Sequence, residues 1–74
     1  MKDKSNNNQS SNISENIRKI RAEKGISQDR LSKLADLSLN TIVNVESGAN
    51  PNPTVETLLK IADALGVSIE KLVR

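Results

Sequence analysis

Ile26-Ser-Gln-Asp-Arg-Leu-Ser-Lys-Leu-Ala-Asp-Leu-Ser-Leu-Asn-Thr-Ile-Val-Asn-Val-Glu-Ser-Gly48 writes one helix-start device twice, at Ser27 and again at Ser38. Ile26-Ser27 is followed by Leu31, and Leu37-Ser38 by Ile42. In each, the serine is placed to cap the first turn by accepting from one of its unbonded amides. The apolar residue before the cap then meets the one at the fourth helical position, a hydrophobic staple. The stretch between the two devices, Leu31 to Asp36, is too short to hold a long loop. The second helix must therefore turn sharply off the first.

Outward from this core the chain reads as five helices and no strand. The first starts near Asn12 to Ser14, carries Ile13, Ile17 and Ile20 at helical spacing, and stops at Gly25. The second runs from Gln28 to about Ala35 with Leu31, Leu34 and Ala35 inward. The third runs from Leu39 to Ser47 with Ile42 and Val45 inward, and Gly48 ends it. Residues 49–53, Ala-Asn-Pro-Asn-Pro, form a loop. The fourth starts after Thr54 with the stripe Leu58, Ile61, Ala62 and Leu65, and ends at Gly66. Val67-Ser68 followed by Leu72 repeats the stapled cap and opens the fifth. Glycine stops and proline loops suit any helical bundle, so they establish architecture and not function.

The composition narrows the chemistry. The 74 residues contain no cysteine, histidine or aromatic residue. Disulfides, Cys/His zinc fingers and histidine catalysis are thereby excluded. The core has to be built from Ile, Leu, Val and Ala. Platforms for stacking single-stranded bases are missing as well. No apolar run approaches the ~18 residues of a membrane span, and no membrane or cofactor is expected. Residues 5–12, Ser-Asn-Asn-Asn-Gln-Ser-Ser-Asn, hold no apolar side chain and no charge, so residues 1–12 are expected as a disordered polar tail ahead of a single domain at 13–74.

The net charge of +2 is unevenly placed. From Arg18 to Lys33 stand Arg18, Lys19, Arg21, Lys24, Arg30 and Lys33 against Glu23 and Asp29. Beyond Lys33 the acids outnumber the cations. One positive face turned toward phosphate fits this pattern, as does an ordinary solvated surface of mixed charge.

Two short helices joined by a three- to four-residue turn make a helix-turn-helix, whose second helix can enter a DNA major groove. The residues carry the likeness further. Ile26 to Gly48, continued by Pro53-Thr-Val-Glu-Thr-Leu-Leu-Lys-Ile-Ala-Asp-Ala-Leu-Gly-Val-Ser-Ile-Glu-Lys-Leu72, resembles the lambda-repressor-like helix-turn-helix family, also called Cro or XRE type. That resemblance implies a compact all-α, five-helix domain that binds double-stranded DNA, commonly as a homodimer on a two-fold operator.

Helical geometry and family position together assign the residues. With Ile42 and Val45 facing the core, Leu39, Asn40, Val43 and Asn44 lie outward as base readers. Asparagine can bond an adenine edge, and apolar groups can meet a thymine methyl. Gln28, Ser38, Thr41 and Ser47 are the expected phosphate contacts, Gln28 at a helix start that favours anions. Arg21 and Glu46 match a family pair that ties the third helix to the first. Val67, Ile69, Leu72 and Val73 are the expected dimer face. Three features depart from the family pattern: Asp36 stands where glycine is common, the third helix has no outward cation, and the 49–53 loop is uncharged.

The leading expectation is a cytoplasmic, DNA-bound transcriptional regulator, a repressor that occludes a promoter. An antitoxin or restriction-modification controller shares the fold and size, and would bring a toxin or antirepressor protein as partner. A module that keeps the fold but has lost DNA binding is the reading from another class, favoured by the cation-free third helix. An enzyme has least support, since plentiful hydroxyls are accompanied by no histidine, cysteine or glycine-rich phosphate loop.

Overall fold

A computed structural model of the chain describes the backbone of residues 3–74 and the side chains of residues 12–74. It contains α1 (Asp3–Glu23), α2 (Gln28–Ala35), α3 (Leu39–Ser47), α4 (Val55–Leu65) and α5 (Ile69–Val73), and no strand among the described residues. The helix bounds of α1 begin ahead of the Asn12 to Ser14 start that the sequence suggests. Neither glycine nor proline stands in residues 1–13 to stop it, and a helix propagates more easily than it nucleates. The expected tail at residues 1–12 lies outside the described side chains except at Asn12. That residue belongs to the fold, where its Nδ2 donates to the Arg74 carbonyl at 3.0 Å.

The serine caps form as local chemistry dictates. Ser27 Oγ accepts from the Arg30 amide and Ser38 Oγ from the Thr41 amide, each at 3.0 Å. Thr54 Oγ1 does the same for Thr57 at 3.1 Å. Ser68 is different: it takes the extended N-cap conformation, but its side chain makes no capping bond. The third copy of the device is therefore a staple without its hydroxyl cap. A five-residue helix offers only one turn for it to stabilise.

One aliphatic cluster holds the five helices together. Ile17, Leu31, Ile42, Val45, Leu58, Ile61, Ala62, Leu65 and Leu72 are buried in it, with Ile13, Ile20, Ile26, Leu37, Val67 and Ile69 around its edge. Each fully buried Ile or Leu contributes roughly 1.5–3 kcal/mol of transfer free energy. The helix α1 lies against α3 and α5, α2 against α3 and α4, and α4 against α5. Both staples close on this cluster, so each cap also sets the entry angle of its helix.

Leu34 does not face inward as its spacing suggests; it is 49% exposed, and Ser32 is buried in its place. The Ser32 hydroxyl donates back to the Asp29 carbonyl at 2.7 Å, which satisfies it within its own helix. The buried face of α2 thus centres on Leu31, Ser32 and Ala35. Leu72 is another correction. At 0% exposure it closes the core of a single protomer and has no surface to offer a second copy.

Candidate nucleic-acid interface

The turn between α2 and α3 aims the outer face of α3. Asp36 adopts φ 57° and ψ 46°, the left-handed region, and its amide bonds back to the Lys33 and Ser32 carbonyls to end α2. Aspartate tolerates this conformation better than most residues, though at a cost that glycine avoids. Leu37 then seats against the core, and Ser38 opens α3 in a new direction.

Once α3 is fixed by Ile42 and Val45, its other side is open to solvent. Leu39 is 44% exposed and Val43 37%. Asn40 and Asn44 are exposed as well, and their side-chain amides take no part in the hydrogen bonding of the described residues. Two amides and two apolar side chains therefore share one uncharged face. An amide can donate and accept side by side, as an adenine edge requires, and an apolar group can meet a methyl. The helix has no acid in its first turn and no base in its last.

The four expected phosphate contacts are all engaged within the chain. Ser38 and Thr41 share a hydroxyl–hydroxyl bond of 2.8 Å beside the cap. Ser47 Oγ donates to the Asn44 carbonyl at 3.3 Å and accepts from the Ala49 amide at 3.2 Å. Gln28 Nε2 donates to Glu46 Oε1 at 2.9 Å. These side chains hold helix ends and neighbouring helices. A phosphate at Gln28 would meet the remaining N–H of its side-chain amide or its main-chain N–H at the start of α2.

Glu46 is the centre of a polar network under α3. It is 2% exposed. Arg21 Nε meets its Oε2 at 2.7 Å and Arg21 Nη2 its Oε1 at 3.1 Å, while Arg21 Nη1 donates to the Ile26 carbonyl at 2.8 Å. Arg18 Nη1 donates to the Glu46 main-chain carbonyl. Every buried side-chain nitrogen and oxygen among the described residues has a partner. A buried carboxylate that receives this many donors fixes the orientation of the helix that carries it.

Sequence reading paired Arg21 with Glu46 and missed Arg18, Gln28 and Asn16 as structural donors. Asn16 Nδ2 donates to the Leu72 carbonyl at 3.0 Å and ties α5 to α1. Arg18 did carry a signal, because it stands three positions before Arg21 and so on the same side of α1. The remaining cations Lys19, Lys24, Arg30 and Lys33 are exposed. Lys33 pairs with Asp29 at 2.9 Å in full solvent, an ion pair of little energetic weight. Of the expected dimer face, Val73 is 46% exposed, and Val67 and Ile69 are half-buried at the core's edge.

Comparison with known proteins gives likenesses of three kinds, to a family, to a curated relative and to a solved structure. The profile of a family described as helix-turn-helix, HTH_3, matches residues 17–72. An uncharacterized HTH-type transcriptional regulator, y4dJ of Sinorhizobium fredii, is 38% identical over 61 residues, 82% of this chain and 78% of that protein. Among solved structures, the restriction-modification controller protein C.AhdI from Aeromonas hydrophila superposes with a TM-score of 0.80 at 30% identity. That match covers 85% of this chain and 94% of the controller.

Proposed function

The chain belongs to the helix-turn-helix family, and from that premise we propose that it is a sequence-specific transcriptional regulator that reads double-stranded DNA with α3. The observation that carries this reading is the outer face of α3: Leu39, Asn40, Val43 and Asn44 exposed together on a helix whose inner side is locked by Ile42, Val45 and Glu46. A reading helix needs this combination of rigid backing and adaptable front. Asn40 and Asn44 bond adenine edges, so the half-site contains A·T pairs; Leu39 and Val43 meet thymine methyls.

Gln28, Ser38, Thr41 and Ser47 border the reading face and supply the phosphate contacts. Affinity is modest and its salt dependence shallow, because few cations displace counterions. The protein acts as a homodimer on a two-fold operator and represses by covering a promoter. The dimer face comprises Val73 with Val67 and Ile69; Leu72 is excluded by its burial.

Similarity to a restriction-modification controller favours one narrower reading, control of a neighbouring restriction gene. The adjacent genes separate that role from a free-standing repressor. The main reading is tested by selecting duplexes from a random pool. An enriched palindrome supports it; no enrichment sinks it and leaves a protein-interaction module with the same fold.

A further inference from the structure

Glu46 is gripped at both of its acceptor groups. Its carboxylate receives Arg21 from α1 and Gln28 from α2, and its main-chain carbonyl receives Nη1 of Arg18. The two kinds of grip restrain different things. Bonds to the carboxylate act through the side-chain torsions of Glu46, so they anchor α3 at a point and leave it some freedom to roll. A bond to the carbonyl acts on the helix backbone itself.

The charge distribution points the same way. Helix α3 carries no basic residue in its last turn, where its unpaired carbonyls gather partial negative charge. Arg18 brings a cation to that end from the neighbouring helix. Its contact spans 28 residues of sequence, so it is a tertiary restraint on how α3 sits against α1.

We propose that Arg18 is a positioning residue for sequence reading: by donating to the Glu46 carbonyl it sets the roll of α3, and with it the aim of Asn40, Val43 and Asn44. This rests on the reading of the chain as a sequence-specific DNA binder. Arg18 is also an exposed arginine in the cationic half of the chain, and a plain phosphate contact is the competing role. The two roles separate cleanly. A phosphate contact adds affinity for every duplex and steepens the salt dependence, whereas a positioning residue adds preference for one sequence and leaves the salt slope alone.

The test uses the full chain, duplexes that it selects from a random pool, and a scrambled duplex of the same base composition. Arg18→Met keeps the aliphatic stem and removes the donor. It is expected to lose about tenfold in preference for selected over scrambled duplex, the worth of one charge-assisted hydrogen bond. Its affinity for the scrambled duplex and its salt slope stay at the parent's values. Arg18→Lys, which keeps the charge but has a single ammonium for the planar fork, shows a smaller loss of preference. Equal loss on both duplexes, with a slope shallower by about one, identifies a phosphate contact and overturns the proposal. Full preference in a folded Arg18→Met overturns it as well, since the hydrogen bond to the Glu46 carbonyl would then be dispensable. Thermal melting run alongside shows whether Arg18→Met is folded at the assay temperature; if it is not, the lysine variant alone decides. Failure of the unsubstituted chain to select any consensus overturns the DNA reading itself and this proposal with it, a result distinct from either Arg18 outcome.

Discussion

The guanidinium of Arg21 meets both carboxylate oxygens of Glu46, at 2.7 and 3.1 Å, with only 2% of Glu46 exposed. Such a pair adds little stability compared with well-packed apolar residues, but removing one partner strands the other. Arg21→Ala should therefore cost about 3–5 kcal/mol in urea unfolding. The double variant Arg21→Ala/Glu46→Ala should recover part of that loss, because no buried charge is left behind. A double variant as unstable as the sum of the single ones would show that packing of the arginine stem, and not the stranded charge, sets the cost.

Asp36 holds a left-handed backbone conformation at the end of α2. It also sets a negative charge beside the negative end of that helix. Asp36→Gly removes both penalties, offset in part by the greater freedom of glycine in the unfolded chain. The net expectation is a gain of about 1 kcal/mol, a rise of roughly 4–8 °C in melting temperature for a domain of this size. A lower melting temperature would mean that the aspartate serves α3 more than it harms α2.

What could be read from the sequence was local. Caps at Ser27, Ser38 and Thr54, the staples, and the stops at Gly25, Gly48 and Gly66 depend on residues a few positions apart, and the structure places helix ends there. Leu34 was misplaced because α2 has only eight residues, too few for periodicity to fix which side turns inward. Nothing in a pattern of hydrophobicity shows that a serine will bury its hydroxyl by bonding its own helix. The ties Arg18–Glu46, Gln28–Glu46 and Asn16–Leu72 cross 28, 18 and 56 residues and depend on how helices meet. The outer residues of α3 were legible because their side follows from the positions of Ile42 and Val45.

Base reading and phosphate contact should fail differently on substitution. Asn44→Ala should cost ~1–3 kcal/mol on the selected duplex and relax the preference at one base pair. Gln28→Ala should weaken all duplexes by similar factors. It should also lower stability by about 1 kcal/mol, because its bond to Glu46 is lost. Binding titrations on selected and scrambled duplexes, with a melting curve for each variant, check all three. Should Asn44→Ala weaken every duplex alike and leave the consensus unchanged, specificity must come from DNA shape.

Leu72 and Val73 are adjacent in sequence and opposite in consequence: the first is 0% exposed and the second 46%. Leu72→Ala opens a cavity in the protomer's core and should cost roughly 2–5 kcal/mol, a large share of the stability of so small a domain. Val73→Asp removes no core contact, so the protomer should melt as the parent does. If α5 carries the dimer face, the aspartate puts two like charges across a two-fold axis, where the same residues face each other. Self-association should then weaken at least about tenfold, the effect of one unfavourable contact worth 1.4 kcal/mol. Binding to a full two-fold site should lose its cooperativity while binding to a half-site is kept, since α3 is untouched. Sedimentation of the free and DNA-bound protein reads both. A Val73→Asp chain that still assembles as the parent does, two copies on DNA with centres about one helical turn (~34 Å) apart, would move the dimer face away from the end of α5.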